Sequence, residues 1–448
     1  MKKSVLYIVF ILTTAAFYVN LTLFNAIGIG LFFVFILKFI NDLGNKIELR
    51  NYIVIISLLQ WVVAPTFKYA FFPNSDIYNM SVDENVYFSY ITPAIIAFIA
   101  GLYLPLSKKN TEIFFSSLRH KLEERTNFHF TTGMFLIVIG LLSPVLYYVL
   151  PGSLIFLCYL FDSLKYVGVL YILQSPKPYK YIIFFGVFLI LLIFSAKQGM
   201  FHDLVLWSVF FFIVYSFQNK FTLIKNIFYS FLITFFVLII QSVKPELRTQ
   251  IWSDQDITDK SNAFGDLMLD RIKHPAKLFS SDNMNSNVTR ANQGWIISRI
   301  MFNIPANEPY VGGMTIIRGI QSSILPRIVA GNKATAGGKE YFERFTGEPL
   351  AEGTSMDLST IGEAYGNFGI IGGIIFMFFF GLLINFLFNK VLKYSSKYPT
   401  IIFWIPFLFL QMVKAENDFS SGLNHFVKAL VIVWFFFYFI RKAFKVAI

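Results

Sequence analysis

The chain has 448 residues, 56% of them hydrophobic and 19% aromatic but only 14% charged, against roughly a quarter charged in ordinary soluble domains. Fifty-five Phe and 23 Tyr are more than one aqueous core can hide, and the apolar residues fall in blocks of about 20, the length that crosses bilayer hydrocarbon. A soluble enzyme is excluded, and the formal net charge of +12 has to be read as a topology signal before it is read as affinity for nucleic acid.

Apolar blocks between polar breaks predict an all-α polytopic membrane protein of about 12 spans. They lie at 4–19, 21–40, 51–71, 86–106, 132–150, 153–173, 180–197, 201–217, 222–241, 360–388, 399–413 and 422–440. The first two share one apolar run broken near Asn20. Met1-Lys2-Lys3 before an apolar stretch imitates a signal peptide, but no small-x-small cleavage site follows, which predicts a retained first helix. The single cysteine, Cys158, sits inside an apolar block, so neither an intramolecular disulfide nor a cysteine-based metal cluster is expected.

Basic residues are unevenly divided between alternate connections. The N-terminus, the connections at 38–50, 107–131, 174–180, 218–225 and 389–398, and the C-terminal tail together hold 20 Lys and Arg against five acidic residues. The opposite short connections carry Asp76, Asp83, Glu84, Glu416 and Asp418 with few bases. The positive-inside rule then places both termini in the cytoplasm. Nucleic acid is not needed to explain the charge.

Three regions follow: spans over 1–241, a large outer loop over 242–359, and three spans over 360–448. The loop holds 13 basic and 13 acidic side chains, 26 of the 64 in the chain, and connections this long in a compact architecture are usually functional. Helical patterning is expected over 262–279, over 294–304, and from Met314 towards Val329. In that last stretch Ile317, Ile320, Ile324 and Ile328 share a face and Pro326 interrupts. A basic amphipathic stretch of this kind suits the bilayer interface. Arg248, Arg290, Arg299 and Arg327 offer planar donors matched to phosphate, and Lys333 adds a point charge. No P-loop, paired metal-ligand spacing or nucleophile elbow occurs, so nucleotide hydrolysis and a zinc site are not expected.

The loop runs into a span through Ser359-Thr360-Ile361-Gly362-Glu363-Ala364-Tyr365-Gly366-Asn367-Phe368-Gly369. Thr360-x-x-Glu363 fits a capping box, so Glu363 is either a cap or a reactive carboxyl. Gly362, Gly366, Gly369 and Gly373 form one stripe suited to close helix packing. Tyr365 and Asn367 either pack or meet a sugar hydroxyl. Elsewhere, Asp162 and Lys165 are placed to neutralise one another, and Lys197 ends a span where it either meets a headgroup or diphosphate or reaches into water.

The segment 362–372 resembles the entry to a late span in bacterial O-antigen and capsule repeat-unit polymerases of the Wzy type. Ser323-Ile324-Leu325-Pro326-Arg327, followed by Lys333, is similar to an Ile-Pro-Arg and Lys stretch upstream of it in that family. Leu325 stands where Ile is common, and Ala330-Gly331-Asn332 replaces an aromatic-Pro filling. The resemblance implies a GT-C-like, metal-independent glycosyltransferase with no cofactor. It would join polyprenyl-diphosphate-linked oligosaccharides on the outer leaflet of the bacterial cytoplasmic membrane. Its implied partners are lipid-linked donor and acceptor, the bilayer, and a flippase and chain-length regulator of the same pathway. Glu363 would be general base, Arg327, Arg290 and Arg299 a diphosphate clamp, and Lys333, Arg248, Tyr365, Asn367 and Lys197 substrate contacts. An O-antigen ligase and a lipid-linked oligosaccharide transporter remain alternatives.

Overall fold

The computed structural model describes residues 3–73, 78–106, 111–123, 126–150, 154–252, 257–324, 338–352 and 354–444. Among these the elements are helices, with no strand. The first nine apolar blocks form α1 (Lys3–Tyr18), α2 (Leu23–Asp42), α3 (Leu49–Phe71), α4 (Glu84–Tyr103) and, after the amphipathic α5 (Thr111–Glu123), α6 (Thr126–Leu142), α7 (Ile155–Gln174), α8 (Lys180–Gln198), α9 (His202–Asn219) and α10 (Leu223–Trp252). The long loop over 242–359 folds, among its described residues, as α11 (Ile257–Lys273), α12 (Ser281–Ala291), α13 (Gly294–Asn303), α14 (Met314–Ile324) and α15 (Lys339–Thr346). Then come α16 (Thr360–Ser395), α17 (Ile405–Val413), preceded by a 3-10 stretch from Pro399, and α18 (Phe419–Phe444).

Nine of the described helices are long and apolar enough to cross a membrane, while α1 and the stretch Pro399–Val413 are shorter apolar helices. The chain is a polytopic helical membrane protein. The break near Asn20 is made by Thr22, whose hydroxyl accepts from the Asn25 amide at 3.4 Å and starts α2. Asp162 and Lys165 pair on α7, as their spacing predicts.

Small residues set the tightest crossings. A Cβ on Gly381 of α16 would lie 2.2 Å from the Phe98 carbonyl oxygen, and one on Gly101 of α4 would lie 2.1 Å from that of Phe378. Bare backbones therefore meet where α4 and α16 cross, the arrangement small residues permit in membranes. Gly133 and Gly168 bring α6 and α7 together in the same way.

Connections with the same expected sidedness touch one another. At the basic end, Arg119 of α5 donates to the carbonyls of Gly44 (2.6 Å) and Phe217 (2.8 Å). Asn226 donates to Ile40 (3.1 Å) and Leu43 (2.9 Å), and Lys121 to Ser396 (3.0 Å). At the other end, the Gln293 amide donates to Gln60 (3.2 Å) and the Ser81 amide to Ser298 Oγ (3.1 Å). The large loop is thereby fastened to the middle of α3 and to the connection just before α4.

Within the loop, α14 buries Thr315, Ile316, Gly319, Ser322 and Ser323. It leaves Ile317, Ile320 and Ile324 exposed. Its small face lies on Phe419 and Ser420 at the start of α18, and its isoleucines face outward, the disposition of an interfacial helix. Ile328 and Pro326 lie outside the described residues.

Gly381→Ala should lower the thermal midpoint of the detergent-solubilised protein markedly, with an overpacking cost of roughly 1–3 kcal/mol or more. Gly186→Ala, where nothing lies within 4 Å of the added carbon, should leave it unchanged. Equal midpoints for the two variants would contradict the close crossing.

Candidate functional site

The start of α16 is stitched to three other elements. Ser359, held at φ 61°, donates from Oγ to the Ala415 carbonyl (2.6 Å) and accepts from Trp61 Nε1 (2.8 Å). Trp61 belongs to a π turn, Leu59–Val63, inside α3. Thr360 Oγ1 donates to the Asn417 carbonyl at 3.0 Å. The expected capping box is therefore not formed, because the Thr360 hydroxyl is spent on the connection between α17 and α18.

Glu363 is 3% exposed, and its carboxyl accepts the amide of Phe419, the first residue of α18, at 2.8 Å. It caps a neighbouring helix rather than its own. Asp418 supplies α18 with its ordinary cap, accepting from the Ser421 amide at 2.6 Å. Two carboxyl groups thus converge on one helix N-terminus, where the backbone dipole favours negative charge. Thr315 of α14 lies beside the Glu363 carboxyl.

Asn367 completes the joint. Its Nδ2 donates to Thr315 Oγ1 (2.7 Å) and to the Glu363 carbonyl (2.8 Å), and its Oδ1 accepts the Gly313 amide (3.0 Å). Two residues later Gly369 takes φ 68° and ψ −162°, breaking α16 into two helical pieces. This conformation is open to glycine and strained for residues with a Cβ. The break frees carbonyls within α16. The amides of Val311 and Gly312 bond to the oxygens of Gly366 (3.2 Å) and Asn367 (3.0 Å). Gly362, Gly366 and Gly373 give way to Ile300, Phe345 and Tyr90 respectively, so packing accounts for these three and backbone conformation for Gly369. The Tyr365 ring lies 5.1 Å from that of Tyr90 and 6.1 Å from that of Tyr310.

Beside this joint lies Asp357, half-buried, whose carboxyl is pushed up to about 7 by burial and by the neighbouring charge of Asp418. Further round the same end, Glu416 meets His202 (2.9 Å) and Lys414 meets Asp203 (3.0 Å), with Tyr159 donating to Asp203 at 3.4 Å. Burial works against ionisation of Glu416, but His202 and Lys414 outweigh it and hold the carboxyl below its ordinary range. His425 reaches the Phe407 carbonyl (2.8 Å), and Lys428 lies 4.0 Å over the Phe156 ring.

Of the residues singled out in the sequence, Glu363 and Asn367 come together, while Tyr365, two residues from each, turns to Tyr90 and Tyr310 on another face of α16. Arg327 and Lys333 lie outside the described residues, as does the side chain of Arg248 on α10. Arg299 on α13 is engaged by Glu348 (2.7 Å) and the Thr346 carbonyl (3.1 Å), so an incoming anion would compete with a carboxylate for it. Arg290 on α12 donates to Ser286 Oγ one turn back at 3.3 Å. Lys197 is exposed in the last turn of α8. Sequence reasoning counted Asp418 only for sidedness and overlooked Asp357 and Trp61. Asp418-Phe419-Ser420-Ser421 at a polar-to-apolar boundary is a legible helix start, whereas nothing local marks the other two. Among the described residues no group of three His, Cys, Asp or Glu is placed to hold a metal ion. No family model, curated protein or solved structure matches the chain.

Asp357 links the site to pH. An unfolded aspartate loses its proton near 3.9, whereas folded Asp357 keeps it up to about 7. Between those values the folded state binds more protons, so stability falls as pH rises through this window. Asp357→Asn should flatten the decline in thermal midpoint between pH 5 and pH 8 and raise the midpoint most at the alkaline end. An unchanged slope would remove the titration from Asp357.

Proposed function

We propose that the protein polymerises polyprenyl-diphosphate-linked oligosaccharide repeat units on the outer leaflet of a bacterial cytoplasmic membrane. In this reading the chain has twelve spans and cytoplasmic termini, and the 242–359 loop lies outside. The observation that carries the proposal is the convergence on Glu363. A carboxyl buried at the start of α16 meets the start of α18 and lies beside Thr315 of the long loop, within the segment that resembles the polymerase family.

The reaction needs one proton moved and one charged group released. A hydroxyl at the non-reducing end of the acceptor repeat unit attacks the anomeric carbon of the donor glycan. The bond from that carbon to the phosphate oxygen breaks, and polyprenyl diphosphate leaves with the bonding electron pair. Glu363 is assigned to take the hydroxyl proton, the acceptor displacing Thr315 or the Phe419 amide to reach it. Asp357, which gives up its proton only near pH 7, is assigned in its ionised form to take that proton from Glu363 and release it to water. Arg327, Arg290 and Arg299, with Lys333 and Arg248, are assigned to the diphosphate, whose charge grows as the bond breaks. Tyr365, Asn367 and Lys197 are assigned to the glycan and headgroup side.

One observation favours a second reading. A helix broken near its membrane end, with carbonyls and carboxyls beside the break, is also how secondary transporters build substrate sites. Moving a lipid-linked oligosaccharide across the bilayer would place the chain one step earlier. An O-antigen ligase would place it one step later.

Deleting the gene and separating the surface polysaccharide by gel electrophoresis distinguishes these readings. Loss of a polymerase leaves a single repeat unit on the lipid core, loss of a ligase or transporter leaves none, and normal ladders contradict all three. In the complemented strain Glu363→Gln should reduce polymer at least 100-fold while the purified variant keeps its thermal midpoint. A variant that makes normal ladders would confine Glu363 to capping α18. Arg327→Ala should weaken binding of the diphosphate lipid, and unchanged binding would remove Arg327 from the clamp.

A further inference from the structure

The basic end contains a cavity that the polymerase reading does not use. It has a volume of about 710 Å³ and lies where the start of α3, the end of α4, α5 and the last turns of α16 converge. Arg50, Lys390 and Lys393 line it together with Leu106, Phe114 and Leu392. Among its described lining residues none is a carboxylate. Of the described acids nearby, Asp42 pairs with Lys46 at 3.0 Å and buried Glu48 accepts from Asn51, both behind the wall near Lys38.

The cations are held rather than loose. Arg50 Nη1 donates to Asn385 Oδ1 at 3.3 Å, and its guanidinium lies 5.1 Å over the Tyr103 ring and 5.6 Å over that of Phe388. Asn385 is itself fixed by donating to the carbonyls of Gly101 (3.2 Å) and Leu104 (2.8 Å). Lys38 reaches the same Tyr103 ring at 3.8 Å behind the wall, where Glu48 and Asp42 offset its charge. Lys390 lies 5.1 Å over Phe386 and is exposed, as is Lys393 one turn on. A buttressed guanidinium, two reachable ammonium groups and an apolar wall at the end of a helix bundle match a phosphoryl headgroup whose acyl chains continue along the helices.

We propose that this cavity binds the headgroup of an anionic phospholipid from the leaflet at the basic end, between α3, α4 and α16. Arg50 receives the phosphate, and Lys390 and Lys393 close over it. The site needs neither glycan nor diphosphate lipid, so it stands apart from the polymerase reading. It also gives the charge at this end a local function beyond setting topology.

The test titrates the full-length protein in neutral detergent with dioleoyl phosphatidylglycerol, dioleoyl phosphatidylcholine or inorganic phosphate. Bound ligand is read by native mass spectrometry and protection by the thermal midpoint. Phosphatidylglycerol should bind and raise the midpoint, and phosphatidylcholine should do neither. The double variant Lys390→Gln/Lys393→Gln should bind phosphatidylglycerol about 30-fold more weakly, the expectation for losing two cations near a lipid phosphate. Lys397→Gln removes one positive charge at the same end but outside the cavity, and should bind as the parent does. Because all three lysines are exposed, the lipid-free midpoints should match. The proposal is overturned by equal binding of the two lipids, by a double variant that binds phosphatidylglycerol undiminished, or by Lys397→Gln weakening binding as much. Protection by phosphate alone equal to that by the lipid would also overturn it, assigning the cavity to a free anion.

Discussion

A helix at bilayer depth can be interrupted only where other groups take up the carbonyls it releases, since lipid offers none. The break at Gly369 meets this condition through the short stretch 311–313, whose amides bond to Gly366 and Asn367. The rest of the loop end depends on that substitution. It docks the loop against α16, brings Thr315 to Asn367 and Glu363, and seats α14 on the start of α18. A regular helix through Gly369 would have no use for these amides and would leave Asn367 without its main partners.

The electrostatics of the loop end follow from the same geometry. Glu363 and Asp418 share one helix N-terminus, whose amides and dipole offset part of the cost of burying two acidic groups so close together. Asp357 lies beside the same terminus, and burial together with the charge of Asp418 pushes its carboxyl up to about 7. A short way round the bundle, Glu416 and Asp203 are matched one to one by His202 and Lys414. The end therefore divides into a neutralised half and an acid-rich half. The acid-rich half is where the long loop packs against the starts of α16 and α18.

Much of this was legible in the sequence, and the remainder was lost for identifiable reasons. Long apolar blocks announce themselves because bilayer thickness fixes their length, and each expected block is helical, but among the described residues nine helices are long and apolar enough to span, and α9 is not one of them. The Asp162–Lys165 pair was readable because both partners lie on one helix. Glu363 was read against Thr360, its local neighbour, while its actual partner is the amide of Phe419, 56 residues further on. Local pattern proposes a cap, and tertiary contact decides which helix receives it. The stripe of four glycines was read as uniform. Three of them serve packing, and Gly369 stands out only through a backbone torsion that composition does not encode.

The wide turn at Leu59–Val63 carries a consequence of its own. A π turn accommodates one residue more than a regular helix would, and each residue of an α-helix advances the direction of its side chain by about 100°. Excising one residue there would restore even pitch but swing the outer third of α3 round by that angle. Pro65, Thr66 and Lys68, now enclosed, would be carried towards lipid, and the Gln60 carbonyl would leave the Gln293 amide it receives. The irregular turn thus acts as a phase adjuster. It lets one continuous rod present one face to the bundle near its basic end and a different face to the folded loop above.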